Sequence, residues 1–384
     1  MADLLWPGGE RAGDIFTDAA FLAAMVRVEQ AWLDALAGAG LAAPVSLVAP
    51  DADVVAAGAE SGGNPVIPLV SALRRQSRDV HRGLTSQDVL DTALVLCLRD
   101  AVRAVEGALS RQAAALAGLV RAHRGTVMAG RTLTQYAVPI TFGLKAATWL
   151  NGVTAAADRL TRCAPLPAQL GGAAGTLAAP DALADGPDGA LRLVEDTAGR
   201  LGLPVSAPWH TERSVLTEHA DALVACADAW GRIAGDVALL SRPELGELRE
   251  ADGGGSSTMP GKSNPVLSVL LRRHALAAPG LAATLHTAAG CYVDERPDGA
   301  WHAEWDTLRL LARRTVVAAS QAAALVEGLV VDADRMTARA GQAASQLTAE
   351  QRSMGGGQGP YLGAADALTD AALRRARRLW KDLP

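Results

Sequence analysis

Apolar residues recur along two long segments of the chain in alternating steps of four and three residues. One segment runs from Leu94 to Ala122 and the other from Leu216 to Val237. Sustained spacing of this kind produces the apolar seam along which near-parallel helices pack in coiled-coil fashion. A continuous helix over 92–124 would be about 50 Å long, because each helical residue adds about 1.5 Å. The pattern therefore predicts long helices packed side by side.

Three further segments predict long helices, over 140–162, 266–289 and 303–328, and a shorter amphipathic helix is predicted over 364–381. With the two above, they make five long helices. We therefore predict an all-α fold, in which an elongated bundle of five long helices is flanked by two smaller helical domains. The alanine-rich outer faces are poorly suited to water, so we expect a homo-oligomer that buries them.

Interruptions of this pattern predict three domains. Residues 1–91 contain shorter helices broken by prolines and form an N-terminal helical domain. The long-helix bundle occupies 92–330, with a connecting excursion at 163–212 that is rich in proline and glycine and a mobile glycine loop at 250–265. A short C-terminal helical region covers 331–384.

Composition narrows the class of protein. Apolar residues make up 49% of the chain and aromatic residues only 4%, and the abundance of alanine favours closely packed helices over sheets. The net charge of −5 argues against a nucleic-acid partner, and no apolar run is long enough to cross a membrane. The N-terminus shows no export signal, and the four cysteines form no CxxC pair. We therefore expect a cytoplasmic protein.

The most informative polar segment is the glycine loop 253–265. It combines exposed backbone N–H groups with the hydroxyls of Ser256 and Ser257, the ammonium of Lys262 and the carboxamide of Asn264. The chain has only three lysines among 36 basic residues, so a lysine here indicates a need for a compact point charge. This set can bind a carboxylate and remove a proton beside it. A flexible linker, the alternative, needs neither the lysine nor the asparagine.

The same loop ends in Gly-Lys-Ser, as a phosphate-binding loop does. That motif has four residues between its glycines, whereas Gly255 and Gly261 are separated by five. The pattern over 237–250 predicts a helix end followed by a loop, and not the buried strand that should precede the motif. We therefore do not predict a nucleotide site.

Two more polar segments lie at predicted helix boundaries. Thr85 and Ser86 come just before a helix, where hydroxyls and free N–H groups bind anions; simple capping by Ser86 or Asp88 is the alternative. Gln135 and Tyr136 lie on a short extended piece, for which the alternative is a turn with a buried tyrosine. Both segments are candidate binding sites for a small anion.

A weaker polar cluster covers 294–305. Arg296 can hold a carboxylate through two hydrogen bonds. Trp301, His302 and Trp305 are expected to pack at a helix start. Most other histidines stand singly, and no spacing of His, Asp and Glu indicates a metal site.

Taken together, these segments resemble the fumarase/aspartase superfamily. The superfamily signature is matched in the glycine loop at Gly255, Ser256, Ser257, Met259, Pro260, Lys262, Asn264 and Pro265. Within the superfamily the chain is similar to the 3-carboxy-cis,cis-muconate cycloisomerases. The similar segments are 63–70, 80–88, 131–145, 208–213 and 299–305.

The resemblance implies a homotetramer whose active sites combine residues of different subunits, with a small polycarboxylate as substrate and no metal or organic cofactor. It implies lactonisation of 3-carboxy-cis,cis-muconate, as in protocatechuate breakdown, through an enolate. Ser256 would transfer the proton, Lys262 would stabilise the enolate, and Tyr136 would occupy a further catalytic position. The groups implied to hold the substrate are those of His81, Thr85, Ser86, Gln135, Ser257, Asn264 and Arg296.

The chain departs from the cycloisomerase pattern at three positions. Those enzymes usually carry histidine where this chain has Tyr136, and histidine and arginine where it has Gly261 and Ser263. The loss of an imidazole removes a group that titrates near neutrality, and the loss of cations weakens binding of a tricarboxylate. The alternative function is therefore C–N or C–O β-elimination, releasing fumarate or a related unsaturated acid from a substituted succinate. A third hypothesis, an inactive structural assembly, fits poorly with a complete signature loop.

Overall fold

The structure is a computed structural model that describes residues 4–163, 165–356 and 361–383. Within these ranges the chain is mostly helical, and its strands are confined to two short antiparallel pairs. The all-α prediction is therefore confirmed. None of the helices described in these ranges has both the length and the apolar character needed to cross a bilayer. Residues 357–360 of the predicted C-terminal region lie outside the described residues.

The helices are numbered in chain order. The first four are α1 (Asp18–Gly38), α2 (Ala52–Gly62), α3 (Val66–Leu73) and α4 (Ser86–Ala122). The next four are α5 (Phe142–Arg162), α6 (Ala178–Leu183), α7 (Pro187–Leu201) and α8 (Ser214–Leu240). The remaining helices of the described residues are α9 (Val266–Gly290), α10 (Gly299–Glu327), α11 (Ala333–Gln342), α12 (Ala344–Leu347), α13 (Ala349–Ser353) and α14 (Ala365–Leu379).

All five predicted long helices are present, as α4, α5, α8, α9 and α10. The seam predicted on α8 is buried throughout, with Leu223 and Trp230 0% exposed, and the seam predicted on α4 is buried from Leu94 to Gln112. Towards the end of α4 the predicted face is half-buried at Leu119 and exposed at Ala122. One polar residue on the α4 seam, Gln112, is satisfied by two hydrogen bonds. Its amide donates to the Ala319 carbonyl at 3.0 Å and accepts from the Trp230 indole at 2.7 Å. The periodicity therefore predicted the packing faces of α8 and of most of α4 correctly, but not that of the last turns of α4.

Helix α4 begins at Ser86, six residues before the predicted start at 92. The Asp88 carboxylate accepts a hydrogen bond from the Thr85 backbone N–H at 2.9 Å, which satisfies one of the donors that a helix start leaves free. Apolar periodicity did not reveal this turn, because its buried residues Gln87 and Asp88 are polar.

Two short strand pairs accompany the helices. Strands β1 (Val127–Thr132) and β2 (Gln135–Thr141) form a hairpin, and β3 (Leu248–Glu250) pairs with β4 (Leu329–Val331). The prediction of a helix end and loop over 237–250 is therefore wrong for β3, whose first and last side chains are buried. A strand of three residues is too short to show a period, and its partner lies far away in the sequence.

The connecting excursion at 163–212 contains two of the helices. Pro187 lies at the start of α7, where its fixed φ favours helix initiation. Trp32 and Leu36 of α1 form a buried apolar cluster with Leu193 of α7. The segment is therefore part of a core and is more regular than its proline and glycine content indicates.

The chain forms two compact units. Four of their boundaries fall within α4, α8, α9 and α10, and the fifth lies at the end of α5. The first unit consists of Met1–Arg103, Cys163–Asp221 and Gly280–Arg314. The second consists of Ala104–Arg162, Ala222–Pro279 and Thr315–Pro384. The three domains predicted from the sequence are each one continuous segment, whereas each of these units combines three separate segments. The division into three domains stays a prediction.

Candidate active site

The turn before α4, in the first unit, is held by a buried carboxylate. Asp88 accepts hydrogen bonds from the backbone N–H groups of Thr85 at 2.9 Å, Gly171 at 2.8 Å and Gly172 at 3.0 Å. The capping role considered for Asp88 is therefore confirmed. This capping fixes the hydroxyls of Thr85 and Ser86 at a helix start, where the helix dipole favours an anion.

Arg296 contacts the same turn. Its guanidinium donates a hydrogen bond to the Thr85 hydroxyl, although the arginine side chain is largely exposed. A guanidinium has five N–H donors in a fixed plane, so this contact leaves other donors available for a carboxylate. The structure thus places two of the predicted anion-binding residues, Thr85 and Arg296, in direct contact.

A buried charge network, Arg213 with Asp91 and Glu304, connects α4 to the start of α10. Arg213 donates to Asp91 at 2.7 and 3.2 Å and to Glu304 at 2.6 Å. The Trp301 indole donates to Asp91 at 2.9 Å, which confirms that Trp301 packs at a helix start. Burial raises the pKa of the Glu304 carboxyl, and Arg213 opposes that shift. Sequence reasoning missed this network, for which the signals were the similarity of 208–213, which contains Arg213, and of 299–305, which contains Glu304.

His81, also in the first unit, has an uncommon backbone conformation. Its φ of 62° lies in the left-handed region that non-glycine residues seldom adopt. Its ring Nδ1 lies 2.6 Å from the Glu29 carboxylate, which is 0% exposed. The imidazole is therefore fixed both by its backbone and by a buried acidic partner.

The glycine loop, in the second unit, is closed at its base by backbone hydrogen bonds. Gly254 and Asn264 exchange two N–H to carbonyl bonds of 2.9 and 2.7 Å, and the Asn264 carboxamide donates to the Gly255 carbonyl at 3.2 Å. The buried Glu250 accepts from the backbone and hydroxyl of Ser268 at 2.8 and 2.7 Å, at the start of α9. The stem of the loop is therefore well defined.

The side chain of Ser256 is contacted by two backbone N–H donors of this loop. Its hydroxyl oxygen accepts from the N–H of Met259 at 3.0 Å and from the N–H of Thr258 at 3.3 Å. Such donors stabilise negative charge on an oxygen atom, and so they favour the alkoxide form of the serine. Lys262 is exposed, and Gly261 has a φ of 79°.

Gln135 and Tyr136 begin strand β2, directly after the turn of the β1–β2 hairpin. The turn residues Leu133 and Thr134 both have positive φ, as the tight turn of a two-residue hairpin requires. Gln135 is exposed and Tyr136 is 39% exposed, so the alternative of a buried tyrosine is wrong. Arg131, the cross-strand partner of Tyr136, places its guanidinium 5.4 Å from the centre of the phenol ring.

A cavity of about 330 Å³ adjoins this hairpin in the second unit. It is lined by Arg131, Lys145, Arg232 and Asp236 among other residues. The Lys145 ammonium lies 3.6 Å from Asp236. Burial lowers the pKa of Lys145, and the nearby Asp236 opposes that shift. The charged groups of this cavity are therefore mainly cationic.

Comparison with known proteins identifies the family. Residues 45–280, more than half of the chain, match the family model described as lyase. The chain belongs to this lyase family, which is part of the fumarase/aspartase superfamily. It is therefore an enzyme, as predicted.

Individual members of the family are similar over most of the chain. The chain is 44% identical to the nitrosuccinate lyase of Streptomyces davaonensis, over 94% of this chain and 81% of that protein. It is 40% identical to the 3-carboxy-cis,cis-muconate cycloisomerase of Pseudomonas aeruginosa, over 94% of this chain and 82% of that protein. The crystal structure of 3-carboxy-cis,cis-muconate lactonizing enzyme from Pseudomonas putida superimposes with a TM-score of 0.82 at 32% identity, covering 96% of this chain and 97% of that one.

The candidate residues of this lyase divide between the two units. Those of the first unit are His81, Thr85, Ser86 and Arg296. Those of the second unit are Gln135, Tyr136, Ser256, Ser257, Lys262 and Asn264. Within each unit the structure defines their contacts, and their convergence in one site stays a prediction. Among the described residues, no group of three or more His, Cys, Asp or Glu side chains is arranged to hold a metal ion.

Proposed function

We propose that the enzyme catalyses β-elimination from a substituted succinate, releasing fumarate or a related unsaturated acid. Nitrosuccinate is the first substrate to test, because a relative named nitrosuccinate lyase is 44% identical over nearly the whole chain. Elimination from nitrosuccinate releases fumarate and nitrite. The proposal narrows the family-level assignment to a substrate that carries two carboxylates.

The observation that carries the proposal is the composition of the signature loop. Where cycloisomerases usually carry histidine and arginine, this chain has Gly261 and Ser263. Gly261 has a φ of 79°, which a residue with a side chain adopts only at a cost. The loop conformation therefore depends on the absence of a side chain at this position. With two fewer cationic groups, the loop suits a dianionic succinate better than a trianionic carboxymuconate.

The proposed chemistry begins at Ser256. As an alkoxide stabilised by the N–H groups of Thr258 and Met259, it removes a proton from the carbon next to one carboxylate. The electron pair is delocalised into that carboxylate, which then carries two negative charges. Lys262 and the loop N–H groups stabilise this intermediate. The pair then forms the C=C bond, while the bond to the leaving group breaks and the leaving group departs with its electrons.

The proposed binding group for the other carboxylate is at the turn before α4. Thr85 and Ser86 contribute hydroxyls at a helix start, and Arg296 contributes a cation that already contacts Thr85. Gln135 and Asn264 contribute carboxamide donors from the hairpin and the loop. In this scheme binding and proton transfer are performed by separate segments.

Lactonisation of carboxymuconate is the second candidate. It is favoured by the 40% identical cycloisomerase and by the lactonizing enzyme whose fold matches with a TM-score of 0.82. Both reactions pass through the same kind of carboxylate-stabilised carbanion, so the same serine and lysine serve either. The two candidates differ in the number of carboxylates that the site must neutralise.

One assay distinguishes the candidates. Purified enzyme is incubated with nitrosuccinate or with 3-carboxy-cis,cis-muconate, and fumarate, nitrite and loss of the diene absorbance are measured. We expect equal amounts of fumarate and nitrite from the first substrate and a much lower rate on the second. Loss of the diene at a higher kcat/KM than nitrite release would favour lactonisation and contradict the proposal.

The proposal includes a homotetramer in which the two sets of candidate residues come from neighbouring subunits. The implied subunit arrangement predicts complementation between inactive variants. Ser256→Ala and Arg296→Ala proteins are denatured together and refolded, and the activity of the mixture is compared with that of each variant refolded alone. Partial recovery only in the mixture supports shared sites, whereas no recovery in properly assembled mixtures would place each site within one chain.

A further inference from the structure

His81 is held in its unusual conformation by contacts on both sides. The Val80 carbonyl accepts a hydrogen bond from Arg74 Nε at 3.2 Å, and the Arg82 carbonyl accepts one from Trp32 Nε1 at 2.8 Å. Left-handed backbone in a residue with a side chain costs free energy and persists where surrounding contacts impose it. The fold therefore presents this imidazole in a fixed direction.

Glu29 fixes the ring itself. Its carboxylate lies on α1, is 0% exposed, and contacts His81 Nδ1 through Oε1 at 2.6 Å. The other oxygen of Glu29 has no hydrogen-bond partner in the described part of the chain. A buried carboxylate accepts hydrogen bonds, so it orients the ring with Nδ1–H donating to Oε1. The second ring nitrogen, Nε2, is then left for a partner outside the pair.

His81 lies in the same segment of the chain as the candidate anion-binding residues. His81 precedes Thr85 by four residues, and Thr85 accepts from Arg296. In the described residues, His81 Nε2 has no hydrogen-bond partner. The hairpin 127–141 and the loop 250–268 contain no histidine. His81 is therefore the imidazole that stands nearest in sequence to any of the candidate site residues.

We propose that Glu29 and His81 form a catalytic dyad in which the imidazole, held by Glu29 at Nδ1, donates a hydrogen bond from Nε2–H to the leaving group. This proposal rests on the proposed elimination and assigns a new role within the same site. As the carbon–leaving-group bond breaks, its electron pair stays with the leaving group, and the Nε2–H bond stabilises the negative charge that develops there. Glu29 is the positioning residue, since it orients the ring.

Other charged groups near the dyad act mainly on its backbone. Arg74 and Arg82 are bonded to carbonyl oxygens, the first to that of Val80 and the second to that of Leu41. Asp79 lies 3.5 Å from Arg82. Glu29 is the carboxylate in direct contact with the ring, so replacing Glu29 should disturb the imidazole more than replacing Asp79.

The first test is chemical rescue. His81→Ala should lower kcat on nitrosuccinate by about 100-fold or more, with a smaller change in KM, because the lost donor acts on the leaving group. Added imidazole should restore activity in a saturable manner, by about tenfold or more. His286→Ala is the matched control, because it removes an exposed histidine that pairs with Asp221 at 3.0 Å; its activity should not respond to imidazole. A His81→Ala enzyme that is not rescued would overturn the catalytic role.

The second test removes only the charge of Glu29. Glu29→Gln keeps an acceptor for Nδ1–H but removes the charge that orients the ring, so kcat on nitrosuccinate should fall by about tenfold with a smaller change in KM. Asp79→Asn should leave kcat in place. An unchanged kcat in Glu29→Gln would contradict the positioning role.

A third measurement does not depend on turnover. In protein with 13C-labelled histidine, the ring signal that is missing from His81→Ala should have a different chemical shift in Glu29→Gln than in wild type at the same pH. The signal missing from His286→Ala should stay unchanged. If nitrosuccinate is not turned over, the proposed function fails, while this comparison still tests the contact of Glu29 with His81. A His81 signal that does not move overturns the dyad whatever the substrate is.

Discussion

The two sets of candidate residues are held in place by different kinds of interaction. In the first unit, buried side chains fix the turn at Thr85, through the Asp88 carboxylate and the neighbouring Arg213 network. In the second unit, the loop around Ser256 is shaped mainly by backbone hydrogen bonds and by the left-handed Gly261. Changes in the buried side chains that support the first set should therefore affect folding, whereas changes in the second set should affect turnover with little effect on stability.

The largest expected effect is that of Ser256→Ala on turnover. The change removes the proposed proton acceptor, so kcat should fall by about 10⁴-fold or more, while the midpoint of unfolding stays close to that of wild type. Steady-state kinetics and urea unfolding measure the two quantities. Ser353→Ala, which removes an exposed hydroxyl in the same unit, is the control. If the Ser256 variant keeps substantial activity, another group must take the proton.

The next effect concerns stability. Arg213→Met should lower the free energy of unfolding by about 3–5 kcal/mol, because it leaves the buried carboxylates of Asp91 and Glu304 without their cation. Arg111→Met is the matched control, because the Arg111 to Glu327 ion pair is largely exposed. It should cost less than about 1 kcal/mol. Equal losses in urea unfolding of the two variants would show that the Arg213 network does not stabilise the first unit.

Sequence reasoning succeeded where a local pattern carries the information. The five long helices were predicted because a buried stripe on a helix requires apolar residues at 4–3 spacing, as at Leu98 and Leu223. The loop residues Ser256, Lys262 and Asn264 were singled out because their types form an unusual set within a glycine-rich segment.

Sequence reasoning failed where partners are distant in the chain. The Arg213 network joins three charged residues that lie about a hundred residues apart, and no local period marks them. Strand β3 was missed because its pairing with β4 is equally non-local. The contact of Glu29 with His81 belongs to the same class. Tertiary packing decides which charged residues are buried together, and a single sequence does not reveal these long-range contacts.

A smaller effect is expected from Gly261→Ala. A side chain at a φ of 79° costs about 1–2 kcal/mol, which disfavours the observed loop conformation. The loop is exposed and contributes little to the core, so the change should lower kcat more than the stability of the protein. Gly280→Ala is the control: this glycine lies within α9, and an added Cβ meets nothing within 4 Å. It should leave kcat unchanged and stabilise the protein by about 0.5–1 kcal/mol. Unchanged kinetics in Gly261→Ala would show that the left-handed turn is not needed.

The smallest effect is a pH dependence that belongs to Glu304. Burial raises the pKa of this carboxyl in the folded state above its usual value of 4.5, so the folded protein binds the proton more tightly than the unfolded chain does. The contribution of Glu304 to the free energy of unfolding should therefore decrease as pH rises above that value, by at most about 1.4 kcal/mol per pH unit. Glu304→Gln removes this contribution. The free energy of unfolding of the variant, relative to wild type, should increase with pH in urea titrations between acid and neutral conditions. A relative stability that decreases with pH would mean that Arg213 outweighs burial and that the network is a stabilising ion pair.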